Sequence, residues 1–101
     1  MAAMQAIRTI QTAEVQYFSQ YGHYAASLRD LGGRYLAGDL AGGEKGGYRF
    51  RLEDRSGSYA IHAEPIKFGV HGSRTFYADD SMIIHENRGA DPATAESPDA
   101  H

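Results

Sequence analysis

A stretch without glycine or proline at the start of the chain constrains the fold most. Residues 1–21, MAAMQAIRTIQTAEVQYFSQY, are rich in Ala, Gln, Met and Ile, which favours helix. At about 100° per residue, the large apolar side chains fall within an arc of roughly 160°, and polar ones lie opposite. The sequence therefore predicts an amphipathic helix over 1–21 that packs against another element and ends at Gly22. The arc contains Met4, Ile7, Ile10, Val15, Tyr17, Phe18 and Tyr21.

The start of this helix lacks the usual signals. No Ser, Thr, Asp or Asn precedes the apolar pattern, and the first turn carries no acid. Two explanations remain open: the helix frays at its first turn, or it continues in a segment upstream of residue 1.

A short helix and a glycine-rich connection are expected next. Ser27 can cap a helix over 27–31, which Gly32 would end. Residues 32–47 contain seven of the twelve glycines, so an irregular connection is expected there. Its expected anchors are Tyr35, Leu36 and Leu40.

Alternating apolar and polar residues then predict antiparallel strands joined as two hairpins. From residue 87 the chain has no large apolar residue, so 87–101 is predicted to be a loosely ordered tail. The predicted fold class is α+β: one domain over 1–86, with the long helix packed on a three- to four-stranded antiparallel sheet. The predicted strands are about 48–54, 58–64, 74–79 and 82–86.

Composition excludes several classes of protein. A chain of 101 residues makes one small domain. A formal net charge of −3 argues against nucleic acid as a partner. The absence of cysteine excludes disulfides, thiolate zinc sites and thiol nucleophiles. The apolar runs are too short to span a bilayer, so the sequence as given is expected to be soluble.

Patterns typical of catalysis or metal binding are missing from the sequence. No serine lies in a G-x-S-x-G elbow, so no catalytic residue is predicted. The five histidines lack helical metal-ligand spacing, although His62 and His85 could meet across the sheet. Asp79, Asp80 and Asp91 are the only candidates for calcium, and their spacing is not that of an EF-hand loop. We therefore predict no metal and no cofactor.

Glu14 is the one charge within the apolar arc. We expect its carboxylate to accept hydrogen bonds from amides of residues 32–47 or from tyrosine hydroxyls, and so to pin that connection to the helix. The alternative is an acid with a raised pKa in a pocket. Tyr17, Tyr21 and Tyr35 could line such a pocket, or they could form a core with their hydroxyls at its rim.

Four short motifs, in this order and spacing, resemble the globular part of type IV pilin-like proteins, including the pseudopilins of type II secretion. They are Y-G-x-Y at Tyr21–Tyr24, A-S-L-x-x-L-G at Ala26–Gly32, G-Y-x-F at Gly47–Phe50 and R-x-F-Y-x-D at Arg74–Asp79. The resemblance covers residues 1 to about 95.

The resemblance implies a non-enzymatic structural subunit. In that family an upstream leader and an apolar helical half anchor the subunit in the inner membrane, with its head in the periplasm or on the cell surface. The implied partners are other pilin or pseudopilin subunits in a helical filament, and no nucleic acid. The chain lacks the cysteine pair of many pilins. Calcium replaces that staple in some pseudopilins.

A second function remains open on the residues alone. A helix and an antiparallel sheet could enclose a tyrosine-lined pocket around Glu14, which would make the chain an extracytoplasmic small-molecule binding or sensory domain.

Overall fold

A long helix lies across one face of an antiparallel sheet. The computed structural model describes residues 2–32, 35–36, 38–55, 57–70, 72–89 and 91–100. Five strands follow one another in the order β1-β2-β3-β4-β5, each antiparallel to its neighbour. The α+β prediction is confirmed. The elements are α1 (Ala2–Tyr21), α2 (Leu28–Leu31), α3 (Gly38–Ala41), β1 (Glu44–Lys45), β2 (Tyr48–Arg55), β3 (Ser58–Pro65), β4 (Thr75–Asp79) and β5 (Ile84–Asn87).

Helix α1 ends where the sequence predicts. Gly22 has φ 79° and its N–H donates to the Phe18 carbonyl at 2.8 Å, as expected of a glycine that closes a helix. The buried face is rotated relative to the prediction, because it includes small residues that the pattern of large side chains ignores. The buried apolar residues of α1 are Ala3, Ala6, Ile7, Ile10 and Ala13.

Strands β2 and β3 form the long hairpin that the alternation predicts. Their register runs from Tyr48↔Pro65 to Arg55↔Ser58. Alternate side chains face α1 and are buried, while the others face outward. The sheet's contribution to the core is Tyr48, Phe50, Tyr59, Ile61, Ala63, Phe76, Ala78 and Ile84.

The connection between α1 and β2 is more regular than predicted. The Ser27 hydroxyl accepts a hydrogen bond from the Asp30 N–H at 3.3 Å, which confirms the predicted cap of α2. Helix α3 and strand β1 lie within residues 32–47, where an irregular segment is predicted. Leu36 and Leu40 are buried as expected, and residues 33, 34 and 37 lie outside the described residues.

The tail also differs from its prediction. The Glu86 N–H donates to the Pro98 carbonyl at 2.8 Å, and the Ala100 N–H donates to the Ile84 carbonyl at 2.7 Å. Ala93 is buried against the outer face of the sheet. Backbone hydrogen bonds and small alanines therefore hold this segment, although it has no large apolar residue.

Within the described ranges, no helix combines the length and the apolar character needed to cross a membrane.

Candidate functional site

Glu14 is fully buried, as its place in the apolar arc predicts. Its Oε1 accepts a hydrogen bond from the Ala25 N–H at 2.7 Å. The expected donors were amides of residues 32–47 or tyrosine hydroxyls. Among the described residues the donor is instead the segment between α1 and α2, because this segment folds back along the helix. Glu14 thus pins the first connection of the chain to α1.

The second carboxyl oxygen of Glu14 is less well satisfied. Oε2 is buried and has no hydrogen-bond partner in the part of the chain that the structure describes. Burial raises the pKa of Glu14 to about 7, against the opposing effect of the Ala25 hydrogen bond. The charges of Asp30 and Asp54 raise this pKa further, whereas that of His23 lowers it. At neutral pH the protonated and ionised forms are therefore both populated.

Gln11 is a second fully buried polar residue of α1, and the predicted buried set does not include it. Its Nε2 donates to the Asp79 carbonyl at 3.3 Å and so ties the helix to the end of β4. The signal was present in the spacing, since Gln11 follows Ile7 by four residues and precedes Glu14 by three.

The three candidate tyrosines do come together. Ring centroids of Tyr17 and Tyr21 lie 4.5 Å apart, and those of Tyr17 and Tyr35 lie 6.0 Å apart. The Tyr35 hydroxyl donates to Gln20 at 2.6 Å. The rings pack on one another near the end of α1.

A groove lies beside this cluster, at the end of α1. We call it the aromatic groove. It encloses about 270 Å³ and is open to solvent, with Asp30 and Asp54 among its lining side chains. Of the three candidate tyrosines, Tyr17 alone lines it. The aromatic groove consists of Tyr17, Phe18, Gly22, His23, Tyr24, Ala26, Asp30, Asp54, Gly57 and Ser58.

The calcium candidates do not converge. The Asp79 carboxylate accepts hydrogen bonds from the Ser81 N–H and the Tyr77 hydroxyl at one end of β4. The Asp91 carbonyl accepts a hydrogen bond from Thr75 at the other end, about 13 Å away along the strand. No group of three potential metal ligands occurs within the described residues.

Two predicted strand histidines share a neighbour on the outer face of the sheet. His62 and His85 both pair with Tyr77, on β3 and β5 respectively, so that the tyrosine ring separates them. His62 Nε2 lies 2.8 Å from Glu53, and His85 Nδ1 lies 2.7 Å from the Ser97 carbonyl. These contacts make the histidines structural parts of the sheet and tail.

The outward face of α1 is almost without charge. Ten side chains are exposed among those of the helix that the structure describes, and Arg8 alone among the ten is charged. Three large apolar residues are exposed near the C-terminal end of the helix: Val15 and Tyr21 are 50% exposed and Phe18 is 45% exposed. The sequence predicts these three in the buried arc. At 100° per residue Phe18 and Tyr21 do share the side of the buried Ile7 and Ile10, but they lie in the last turns of α1, after its last buried residue, Glu14.

Comparisons with known proteins identify no relative: no family model, no curated protein and no solved structure matches the chain.

Proposed function

We propose that this chain is a non-enzymatic structural subunit: the head of a type IV pilin-like or type II secretion pseudopilin protein, which assembles with other such subunits into a filament of the bacterial envelope. The observation that carries the proposal is the outward face of α1, where Arg8 is the one charge among the described exposed side chains; three large apolar side chains are also exposed near the end of the helix.

This face has the composition of an interface. A soluble surface is designed with about 25–35% charged residues, whereas the centres of protein interfaces are depleted of Lys, Glu and Asp. In a filament each helix packs against the helices of neighbouring subunits, so an uncharged outward face stabilises assembly. The sheet on the other side of α1 gives the subunit a rigid head.

The envelope location belongs to the same proposal. An apolar segment N-terminal to α1 would continue the helix into the inner membrane, with the head in the periplasm or on the cell surface. The four motifs of the sequence resemblance support this arrangement, and the helix-on-sheet fold agrees with it.

The test places a charge on the outward face of α1. In Thr12→Glu, an exposed side chain acquires a charge that an interface would have to desolvate, so self-association should weaken by about tenfold or more. Ala95→Glu, at an exposed site in the tail, is the matched control and should associate like the native chain. Sedimentation equilibrium over a concentration series measures both. A native chain that stays monomeric throughout, or a Thr12→Glu chain that associates normally, would contradict the proposal.

A further inference from the structure

A second apolar surface lies in the loop between β3 and β4, where residues 66–70 form what we call the apolar loop. Ile66 is 38% exposed, Phe68 46% and Val70 66%. Exposed large apolar side chains this close together typically mark an interaction site.

Three backbone hydrogen bonds, one within the apolar loop and two to residues outside it, hold the loop in shape. The Ile66 N–H donates to the Gly47 carbonyl at 2.9 Å, and the Val70 N–H donates to the Lys67 carbonyl at 3.1 Å. The Gly69 N–H donates to the Gly72 carbonyl at 2.8 Å. A loop that is already ordered loses little conformational entropy when it binds, so its apolar side chains are presented for contact at low cost.

The aromatic groove complements this loop in size and charge. Its volume of about 270 Å³ is below the range of about 300–1,000 Å³ typical of small-molecule pockets, but it accommodates a protruding side chain. Its lining includes three aromatic rings, those of Tyr17, Phe18 and Tyr24. The carboxylates of Asp30 and Asp54 also line it. The apolar loop carries an aromatic ring next to a positive charge, at Phe68 and Lys67.

We propose that the apolar loop of one copy of this chain docks in the aromatic groove of the next copy, with Phe68 against the rings and Lys67 towards Asp30 and Asp54. This inference rests on the proposed function, because it names a contact between subunits of the same assembly.

The positions of the two surfaces determine the kind of assembly. The groove includes Ser58 at the start of β3, and the loop begins directly after Pro65 at its end, about 23 Å away. Two different surfaces at opposite ends of a subunit make a head-to-tail contact, and such contacts add subunits in a line unless the rotation closes a ring. The contact is therefore of the type a filament requires.

Engineered cysteines test the contact directly, because the native chain has none. A chain with Val70→Cys is mixed with a mass-tagged chain with Ser58→Cys and oxidised. The yield of this mixed disulfide should be at least about tenfold higher than that of a control mixture of Val70→Cys and Ala95→Cys chains. Ala95 is a suitable control because it lies in the tail, outside the groove. A mixed disulfide no more abundant than in this control, or excess Val70→Cys homodimer, would overturn the proposal.

A pair of truncations shows whether Phe68 carries the contact. Phe68→Ala should weaken self-association by about thirtyfold, as expected for a buried aromatic anchor. Ile83→Ala, at an equally exposed apolar residue that does not line the groove, should leave it unchanged. Equal effects of the two variants would overturn the assignment to the loop.

The two proposals fail in different ways. Assembly that Thr12→Glu disrupts, without the mixed disulfide, would overturn the loop-in-groove contact and retain the structural subunit. If the mixed disulfide forms but Thr12→Glu does not weaken self-association, the loop-in-groove contact is retained and the role of α1 is overturned. Monomers at all concentrations with no mixed disulfide would overturn both.

Discussion

At the scale of single residues, Glu14 makes the stability of the fold depend on pH. Its carboxyl group is fully buried with one hydrogen bond from Ala25 and a pKa raised from 4.5 to about 7. Because an acid of this kind binds its proton more tightly in the folded chain than in the unfolded chain, its effect on stability depends on pH.

The free energy of unfolding should fall as pH rises from about 4.5 to 7. Below this range Glu14 is protonated in both states and costs nothing. Within it the unfolded chain releases the proton more readily than the folded chain. The free energy of unfolding therefore falls by about 3 kcal/mol by pH 8. Glu14→Gln should remove this slope. Urea denaturation of both chains at several pH values gives the difference, and identical slopes would show that Glu14 does not titrate in this range.

The hydrogen bond that Glu14 accepts from Ala25 leads to a second prediction for substitutions of Glu14. Glu14→Gln retains an acceptor oxygen and should be tolerated at pH 7, whereas Glu14→Leu leaves the buried Ala25 N–H without an acceptor and should cost about 1–3 kcal/mol. Thermal melts rank the two variants. A leucine chain that melts higher than the glutamine chain would contradict the pinning role of Glu14.

Gly72 is a position where the packing demands glycine. A Cβ there would overlap the hydroxyl and ring of the buried Tyr48, which donates to the Arg74 carbonyl at 3.1 Å. We expect Gly72→Ala to destabilise the chain by about 1–3 kcal/mol. Gly38→Ala is the matched control, since a Cβ there meets nothing within 4 Å, and it should be neutral or slightly stabilising. Equal melting temperatures for the two variants would contradict this account of Gly72.

At the scale of elements, the tail behaves as a partner of β5. Its two backbone hydrogen bonds to that strand predict slow hydrogen exchange at the Glu86 and Ala100 amides and fast exchange at the exposed Ala95. Ending the chain after Arg88 should then lower the free energy of unfolding by about 2 kcal/mol. Rapid exchange at all three amides, or an unchanged stability after truncation, would show that the tail is loosely held.

The elements that the sequence predicts well are those whose periodicity matches their burial. Tyr48, Phe50 and Leu52 alternate with charged residues, and the β2–β3 hairpin follows that alternation. Gly22 ends α1 because only a residue that tolerates positive φ can close the helix there without strain.

Other features depend on contacts that a local pattern does not contain. The buried face of α1 is lined by Ala3, Ala6 and Ala13, which allow close packing but add nothing to a pattern of large residues. Strand β1 has two exposed residues and therefore no periodicity. The burial of Glu14 follows from the sequence, but its partner Ala25 depends on how the next segment folds back.

At the scale of the whole molecule, the proposed assembly uses three surfaces of one small domain: the outward face of α1, the apolar loop and the aromatic groove. The loop and the groove lie at opposite ends of β3, so a subunit can contact one neighbour through each of them.

Charge reversal tests this geometry in solution. Asp54→Lys and Lys67→Asp should each weaken self-association by about fivefold, because each brings like charges together in the contact. The double variant restores the attraction and should associate within about twofold of the native chain. Asp99→Lys, in the tail, controls for net charge. Additive losses in the double variant would place Asp54 and Lys67 in different contacts.

The proposed role as the head of an envelope filament subunit is tested by the sequence of the gene immediately upstream of the codon for Ala2. We predict a basic leader, a glycine followed by an apolar residue, a glutamate a few positions later, and about twenty apolar residues that continue α1 in frame. A native start codon directly before Ala2, or an unrelated cleavable signal, would contradict it.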